Sequence, residues 1–541
     1  MHDSKRDEDE TSEALRHLAV VVLTLAFAVV LTYLVPPLGR FRPWQPGDPW
    51  PLASLFTPAE ELYAFAGTGT VDEPVADPEA LAEDLGEAVA RSLADGEDEG
   101  GEPMGSPVRV APEEYEGVEV HIEDPTGRGM RPFYEALLKT ARGEEGAITR
   151  IAHYGDSSIA TDHITYTLRR RLQRRFGDAG HGFVLIAKGY NPYRHRDIEH
   201  SASEAWTLRE ITRNHLTTDG RYGFGGIQFR GVPGAWARFA TDEDAPVGRS
   251  VSRIQILYQR HRRGGDIRYR IDGGEWTTIH TRSEIDEDAV ETIEVPDGAH
   301  RLELRFGGHG QPRLYGVVFE RAGPGVVYDS LGLVGARASR LLNFDAEHIR
   351  AQLAARGTNL LVLGFGGNDA SDRIDRQRYE ADYRAILRKM RGDREDLGCL
   401  VFAPLDQGER DGRGRVRTMR TLEDIVEAQR AAAAAEGCAF FDTWRAMGGE
   451  GAVRRWLRSR PRLASGDLRH MTPAGYEVVA DLFYKALLEG FAGYLAELDG
   501  SSEASSEPLP SPAPSDAPGP SDQAPREAQN PARAPRDAAP P

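Results

Sequence analysis

Hydrophobic and polar positions follow two different periods along this chain. Apolar residues recur at helical spacing in residues 131–142 and again in 161–176, and an apolar run at 149–154 lies between them. A further run, GFVLIAK at residues 182–188, has the length and β-branched content of a strand. Strand, turn, helix and strand in this order predict the start of a layered α/β domain.

A second pattern fills residues 222–321, where apolar and polar residues alternate between turns that contain glycine. Segments such as VSRIQILYQR and HRLELRFGG have the period of two that half-buried strands require. Asp272, Gly273 and Gly274 form a typical hairpin connection. A stretch of short strands without helical periods predicts a β-sandwich.

The α/β alternation resumes after this stretch. Helices are predicted at residues 346–356, 376–391 and 422–436, strands at 359–365, 399–403 and 438–442, and a last helix begins at Pro473. The sandwich is therefore predicted to be inserted into an α/β domain, with a first part at residues 118–221 and a second part at 322–498.

One segment near the amino terminus has no charge at all. Residues 18–35, LAVVVLTLAFAVVLTYLV, are long enough to span a bilayer as a helix. Because no small-x-small cleavage pattern precedes Pro36 and Pro37, a retained signal anchor is favoured over a cleaved signal peptide. We expect residues 1–17 on the cytoplasmic side and the body of the chain on the other.

Two segments lack the apolar content of a folded domain. Residues 36–117 are rich in Asp, Glu, Gly, Pro and Ala, which predicts an acidic, solvated linker. Residues 499–541 are a low-complexity Pro, Ser and Ala sequence, which predicts a disordered tail. The net charge of -19, from 66 Lys and Arg against 85 Asp and Glu, argues against a nucleic-acid partner.

Cysteine and histidine usage limits the kinds of site. The two cysteines, Cys399 and Cys438, exclude a disulfide-rich scaffold and a four-thiolate zinc site. Each begins a strand of a predicted parallel sheet; a disulfide is compatible with an oxidising compartment, but buried free thiols are the favoured interpretation. The four histidines of the first part, His153, His163, His181 and His200, lack ligand spacing, so no metal and no cofactor are expected.

Three short segments place reactive side chains where an α/β sheet presents catalytic groups, at turns beyond strand ends. Ser157 stands in HYGDSSIATDH, Asn368 in LLVLGFGGNDA, and Asp467 and His470 in SGDLRHMTPAGY. Taken singly, Ser157 is equally well a helix cap, Asn368 a turn residue and His470 a structural histidine. Together they supply a nucleophile, an oxyanion donor and an acid-oriented base, which favours covalent acyl transfer.

These motifs resemble those of the SGNH hydrolase superfamily, the GDSL-like lipases and acylhydrolases. The first block matches at residues 155–157, the second at Gly335 in YDSLGLVGARAS, the third at Asn368, and the last at Asp467 and His470. The resemblance implies a three-layer α/β/α, flavodoxin-like domain. It also implies an oxyanion hole formed by the N–H groups of Ser157 and Gly335 and the side chain of Asn368.

The chain departs from the GDSL consensus at Ser158, where the consensus has leucine. A β-rich, carbohydrate-binding-like insert between the first two blocks gives the chain a layout similar to that of bacterial peptidoglycan O-acetylesterases. This resemblance implies a serine esterase that removes O-acyl, above all O-acetyl, groups from cell-wall or surface glycans. It would be held in a bacterial cell membrane by one helix, with its catalytic domain in the periplasm.

Two other functions use the same residues. A glycan O-acyltransferase would pass the acyl group to a sugar hydroxyl, and a non-catalytic glycan-binding protein would keep the motifs as relics. The insert's aromatic residues Trp236, Tyr258, Tyr269 and Trp276 are suited to stacking on sugars, but core positions are favoured for them. The sequence does not identify the oligomeric state.

Overall fold

The computed structural model describes residues 108–506 except 191–192, 214–216, 243–244 and 246. The predicted amino terminus and anchor, residues 1–17 and 18–35, lie outside this range, as do nearly all of the predicted linker and the tail after Ser506. Within the described part of the chain, no helix is both long enough and apolar enough to cross a membrane.

Strands and helices follow one another along the chain with these bounds. The strands are β1 (Ile148–Gly155), β2 (Gly180–Val184), β3 (Ile198–Ala202), β4 (Thr207–Glu210), β5 (Ile227–Arg230), β6 (Trp236–Thr241), β7 (Val251–Arg260), β8 (Asp266–Ile271), β9 (Thr277–His280), β10 (Glu287–Gly298), β11 (Arg301–Phe306), β12 (Arg313–Glu320), β13 (Gly325–Gly332), β14 (Leu360–Gly364), β15 (Gly398–Phe402), β16 (Gly408–Arg410), β17 (Val416–Thr418) and β18 (Ala439–Phe441). The helices are α1 (Arg131–Ala141), α2 (Ser157–Ala160), α3 (His163–Phe176), α4 (Ala346–Ala355), α5 (Arg376–Arg391), α6 (Leu422–Ala435), α7 (Thr443–Ala446), α8 (Ala452–Arg458) and α9 (Pro473–Ser506).

The α/β domain is built on five parallel strands in the order β13, β1, β14, β15 and β18. Strands β13, β14, β15 and β18 are buried along their whole length, as expected for a parallel sheet that is covered on both faces. Helices α1 and α3 contact each other and the sheet, whereas α5 and α6 contact each other and α6 packs on β15 and β18. The predicted α/β fold is confirmed.

The insert consists of two antiparallel sheets. One runs in the order β10, β7, β12, β5 and β4, with β2 pairing β12, and the other in the order β3, β6, β11, β8 and β9. Alternate residues of β8 and of the first four residues of β6 are buried, which is why the sequence shows a period of two there. Of the aromatic residues weighed as core, Tyr258 and Tyr269 are buried, but Trp236 is 36% exposed.

The insert begins earlier than residue 222. The apolar run that we assigned to the α/β sheet contains most of β2, which pairs antiparallel with β12, from Val184 opposite Val317 to Gly180 opposite Glu320. Strands β3 and β4 also lie within the residues assigned to the first α/β part, yet they pair with β6 and β5 of the insert. The boundary was wrong because an apolar run has the same pattern in a parallel and in an antiparallel sheet.

A buried ionic network joins the end of the insert to the α/β domain. The Glu320 carboxylate at the end of β12 accepts hydrogen bonds from Arg150 of β1, at 3.0 and 2.8 Å, and from Arg356, at 2.8 Å. Arg356 also donates to Asp329 of β13. Burial by itself would raise the pKa of Glu320, but the two guanidinium groups lower it to about 2. The network fixes the strand that leads back into the parallel sheet.

Cys399 in β15 and Cys438 just before β18 form a disulfide, with their Cα atoms 4.8 Å apart. The preference for free thiols was therefore wrong. Both residues lie at the start of neighbouring parallel strands, and this position brings their side chains together.

Candidate active site

Three neighbouring strands end together at the carboxyl edge of the parallel sheet. In register, Gly155 at the end of β1 lies opposite Gly332 of β13 on one side and Gly364 of β14 on the other. The chain leaves β1, returns to pair with one edge as β13 and then crosses to the other edge as β14. Such a change of direction opens a crevice beyond the strand ends, where α/β proteins bind ligands.

Ser157 is the first residue of α2, directly after β1. The Asp156 carboxylate accepts hydrogen bonds from the N–H of Ser158 at 3.0 Å and from its hydroxyl at 2.9 Å, and so caps the short helix. Gly155 is needed because a Cβ there would lie 2.3 Å from the Ile159 side chain. This close approach turns the chain sharply and leaves the Ser157 hydroxyl beyond the sheet edge.

The structure brings Ser157, His470 and Asp467 into one hydrogen-bonded line. The Ser157 hydroxyl lies 2.9 Å from His470 Nε2, and His470 Nδ1 lies 2.6 Å from an Asp467 carboxylate oxygen. The other carboxylate oxygen accepts the N–H groups of Arg469 and His470 at 3.0 and 3.1 Å. When Nδ1–H donates a hydrogen bond to the Asp467 carboxylate, Nε2 of the neutral imidazole has a free lone pair that can accept the serine proton.

Asp467 and His470 shift each other's pKa in opposite directions. Burial raises the pKa of Asp467, but hydrogen bonds from the His470 side chain and from the N–H groups of Arg469 and His470 bring it down to about 2. The Asp467 hydrogen bond raises the pKa of His470 above its ordinary value. A carboxylate that stays ionised beside an imidazole makes that imidazole a stronger base and stabilises its protonated form.

Gly335 and Asn368 lie beyond the strands on either side of β1. The Asn368 side-chain amide donates to the Ala336 carbonyl at 3.1 Å, which holds the loop after β13 against the loop after β14. Gly335 has a φ of +71° in this loop. In the described part of the chain, no acceptor contacts the N–H of Ser157 or of Gly335, so both remain available to an oxyanion.

The Ser157 pocket is the cavity at this edge. It is lined by Asp156, Ser157, Ser158, Gly364, Phe365, Gly367, Phe402, Ala403, Pro404, Leu405, Gln407, Arg469 and His470. Gly335 and Asn368 are not among the lining residues, although the neighbouring Gly367 is. A Cβ at Gly367 would lie 2.4 Å from the Gln407 side-chain nitrogen, so the absence of a side chain at Gly367 lets Gln407 approach this wall closely.

Several residues of the Ser157 pocket were not identified from the sequence. Ser158, Gln407 and Arg469 contribute its polar lining, and residues 402–405 after β15 contribute its apolar wall. Arg469 lies within the D-x-x-H motif, directly before His470, and this position in the sequence could have identified it as a residue of the site. Gln407 gave no signal, because it follows β15 in an irregular segment without a recognisable motif.

Asp369, next to Asn368, is a second buried carboxyl group near the pocket. Burial, together with the nearby Asp156 carboxylate, raises its pKa to about 7, although the N–H of Ala338 donates to it at 3.4 Å. Asp369 thereby helps to fix the loop that contains Gly335. Within the described ranges, no group of three or more His, Cys, Asp or Glu side chains is arranged to hold a metal ion.

We expect Asn368→Ala to lower kcat for an acetyl ester about 100- to 1000-fold while the protein remains folded, because one oxyanion donor is lost. Asn368→Asp keeps the side-chain volume but removes the amide donor, so it should lose as much activity. Steady-state kinetics and thermal unfolding of both variants test this. An Asn368→Asp variant with nearly full activity would exclude a role as donor.

Residues 296–478 match the sequence model of the GDSL-like Lipase/Acylhydrolase family. This range includes Gly335, Asn368, Asp467 and His470, whereas Ser157 precedes it on the other side of the insert. The match confirms the predicted relationship to the SGNH hydrolases, and with it the prediction of an esterase.

The fold is similar to that of a solved peptidoglycan O-acetylesterase, with 23% sequence identity and a TM-score of 0.55 over 70% of this chain and 99% of that chain. A family two carbohydrate esterase from Cellvibrio japonicus matches 44% of this chain and 85% of its own at 12% identity, with a TM-score of only 0.17. No curated protein sequence matches the chain.

Proposed function

We propose that this chain is a serine esterase that hydrolyses O-acetyl esters on cell-wall or surface glycans through an acyl-enzyme intermediate. The observation that carries the proposal is the distance of 2.9 Å between the Ser157 hydroxyl and His470 Nε2, because this contact activates the hydroxyl as a nucleophile. The similarity to a peptidoglycan O-acetylesterase supports a glycan as the acyl carrier.

The reaction follows from the positions of the side chains. His470 Nε2 takes the Ser157 proton as the serine oxygen attacks the ester carbonyl, and the negative charge on the carbonyl oxygen is stabilised by the N–H groups of Ser157 and Gly335 and by the Asn368 amide. The bond to the sugar oxygen then breaks, and His470 returns its proton to that oxygen. Water repeats the sequence on the acetyl-serine and releases acetate.

Asp467 acts through His470 in both halves of the reaction. It holds the Nδ1 proton, so Nε2 faces Ser157, and its charge stabilises the imidazolium that forms during attack. The Ser157 pocket is narrow and partly apolar around Phe402 and Leu405, which suits a small acyl group such as acetyl.

We also propose that residues 18–35 anchor the chain in a bacterial membrane, with the esterase on the periplasmic side. The charge-free length of this segment supports an anchor. The Cys399–Cys438 disulfide supports an oxidising compartment for the folded part. The segment between the anchor and residue 118 would let the pocket reach glycans near the membrane surface.

Hydrolysis is distinguished from transfer by following the acetyl group. The full-length chain is incubated with O-acetylated peptidoglycan carrying labelled acetyl groups, with and without an added non-acetylated glycan. We expect labelled acetate to appear in equal amount to the ester that is lost, whether or not the glycan is added. Label that accumulates on the added glycan would identify a transferase, and unchanged ester would contradict both enzymatic functions.

A further inference from the structure

Arg469 is a cation in the wall of the Ser157 pocket, directly before the base His470. Its side chain is half-buried, and its guanidinium group donates to the Ser371 hydroxyl at 2.6 Å and lies 3.5 Å from the Gln407 side-chain oxygen. Both partners are neutral. The guanidinium has five N–H donors, so these contacts leave most of them unused.

The fully buried arginines of the described chain and the half-buried Arg430 contact carboxylates, whereas other half-buried arginines, such as Arg350 and Arg391, donate to backbone carbonyls. Arg169 pairs with Asp162, Arg356 with Glu320 and Asp329, and Arg430 with Asp442. Arg469 has no carboxylate within 4.0 Å among the described residues. A guanidinium withdrawn from water without an anion is unfavourable, and an anionic ligand would compensate for this.

The acids near Arg469 are already engaged. The Asp467 carboxylate accepts hydrogen bonds from the His470 side chain and from the N–H of Arg469. The Asp156 carboxylate accepts hydrogen bonds from the N–H and the hydroxyl of Ser158. Burial also raises the pKa of Asp156, which opposes its ionisation. Neither carboxylate is therefore the counter-ion of the Arg469 side chain.

The hairpin that follows Gln407 is rich in arginine. Strand β16 begins one residue after Gln407 and pairs with β17, and the N–H of Gly408 donates to the Leu468 carbonyl at 2.7 Å, beside Arg469. The hairpin contains four arginines against two acids, and each acid already pairs with one of them. The four arginines are Arg410, Arg413, Arg415 and Arg417, and the two acids are Glu409 and Asp411. This excess contrasts with the net charge of -19 for the whole chain.

We infer that Arg469 binds an anionic group, a carboxylate or a phosphate, on the sugar that carries the ester, so the substrate is an anionic glycan. A planar guanidinium fork matches two anionic oxygens and would hold the sugar while its acetyl group enters the pocket. The inference rests on the proposed esterase function and adds the charge of the substrate to it.

The test compares matched acetyl esters: an O-acetylated methyl glucoside, the corresponding methyl glucuronoside and the corresponding glucoside 6-phosphate. We expect the full-length protein to have a higher kcat/KM for at least one anionic ester than for the neutral one. Which anionic ester is better identifies carboxylate or phosphate. Equal kcat/KM for all three would overturn the inference.

Two variants of Arg469 and one control variant test whether Arg469 causes any preference. Arg469→Gln should lower the ratio of anionic to neutral kcat/KM about 10- to 100-fold, mainly through KM, and Arg469→Lys should restore part of it. Arg268→Gln removes the same charge from an exposed position in β8 and should leave the ratio unchanged. A ratio unaffected in Arg469→Gln, with activity lowered equally on all three esters, would make Arg469 a positioning residue for His470 and overturn the inference. Neutral-ester hydrolysis that requires Ser157 would in that case still support the esterase.

Discussion

Replacing Ser157 by alanine should lower kcat for acetyl-ester hydrolysis about 10⁴- to 10⁶-fold, the largest loss expected from any single change in this protein. Without the hydroxyl there is no acyl-enzyme, and only the oxyanion donors and binding would still accelerate attack by water. The measurement is steady-state hydrolysis of an acetyl ester, with thermal unfolding to show that the variant is folded.

Ser158→Ala is the matched control for Ser157→Ala. The Ser158 hydroxyl donates to Asp156, whereas the Ser157 hydroxyl contacts His470. Losing one neutral hydrogen bond should cost about tenfold or less in activity. A fluorophosphonate should label the wild type and Ser158→Ala but not Ser157→Ala. Equal losses in the two alanine variants, or labelling that persists without Ser157, would exclude Ser157 as nucleophile.

Replacing His470 by alanine should lower kcat nearly as much as Ser157→Ala, about 10⁴- to 10⁶-fold, because the serine then has no base. Asp467→Ala should have a smaller effect, about 10⁴-fold, since Asp467 acts only through the imidazole. The double variant Ser157→Ala/His470→Ala should be no less active than either single variant, because the two residues work as one unit.

His309→Ala is the control for the loss of an imidazole. His309 is an exposed residue of the insert, 3.6 Å from Asp266, and its loss should leave kcat within about twofold of the wild type, as is usual for exposed positions. A larger loss of kcat in Asp467→Ala than in His470→Ala would contradict the assignment that Asp467 acts only through His470. Multiplicative losses in the double variant would show that Ser157 and His470 act independently.

The sequence predicted the type of most elements because their patterns are local. The helical period of residues 376–391 gave α5 with the same bounds, and Pro473 was correctly placed as the first residue of α9. Short elements without a period were missed, among them the β16–β17 hairpin and the four-residue helix α7. A few residues contain too little of any repeat to be recognised.

Helix ends were less predictable than helix starts. Helix α9 continues to Ser506, beyond the predicted domain boundary at residue 498 and into the predicted tail. A start is marked by a cap and a proline, whereas the low-complexity composition after residue 498 was taken for an end. The tail prediction for residues 507–541 lies outside the described part and stays a prediction, as does the membrane anchor.

The sequence by itself determined which residues are available for chemistry, because each motif is a short turn at the end of a strand. Asp156 and Ser157 must follow β1, which ends at Gly155, and His470 comes three positions after Asp467 whatever surrounds them. Only the tertiary structure decided that Ser157 and His470, 313 positions apart, lie within hydrogen-bonding distance. This contact depends on the order of parallel strands, which no local pattern encodes.

Tertiary structure also decided the partner of β2, the Cys399–Cys438 disulfide and the position of Arg469 in the pocket wall. In each case the deciding interaction joins segments far apart in sequence, and its free energy depends on which surfaces meet. Periodicity reports how one segment is buried but not what buries it. The residues of the hydrogen-bonded line at the candidate site could therefore be selected from the sequence, whereas the pocket that surrounds them required the fold.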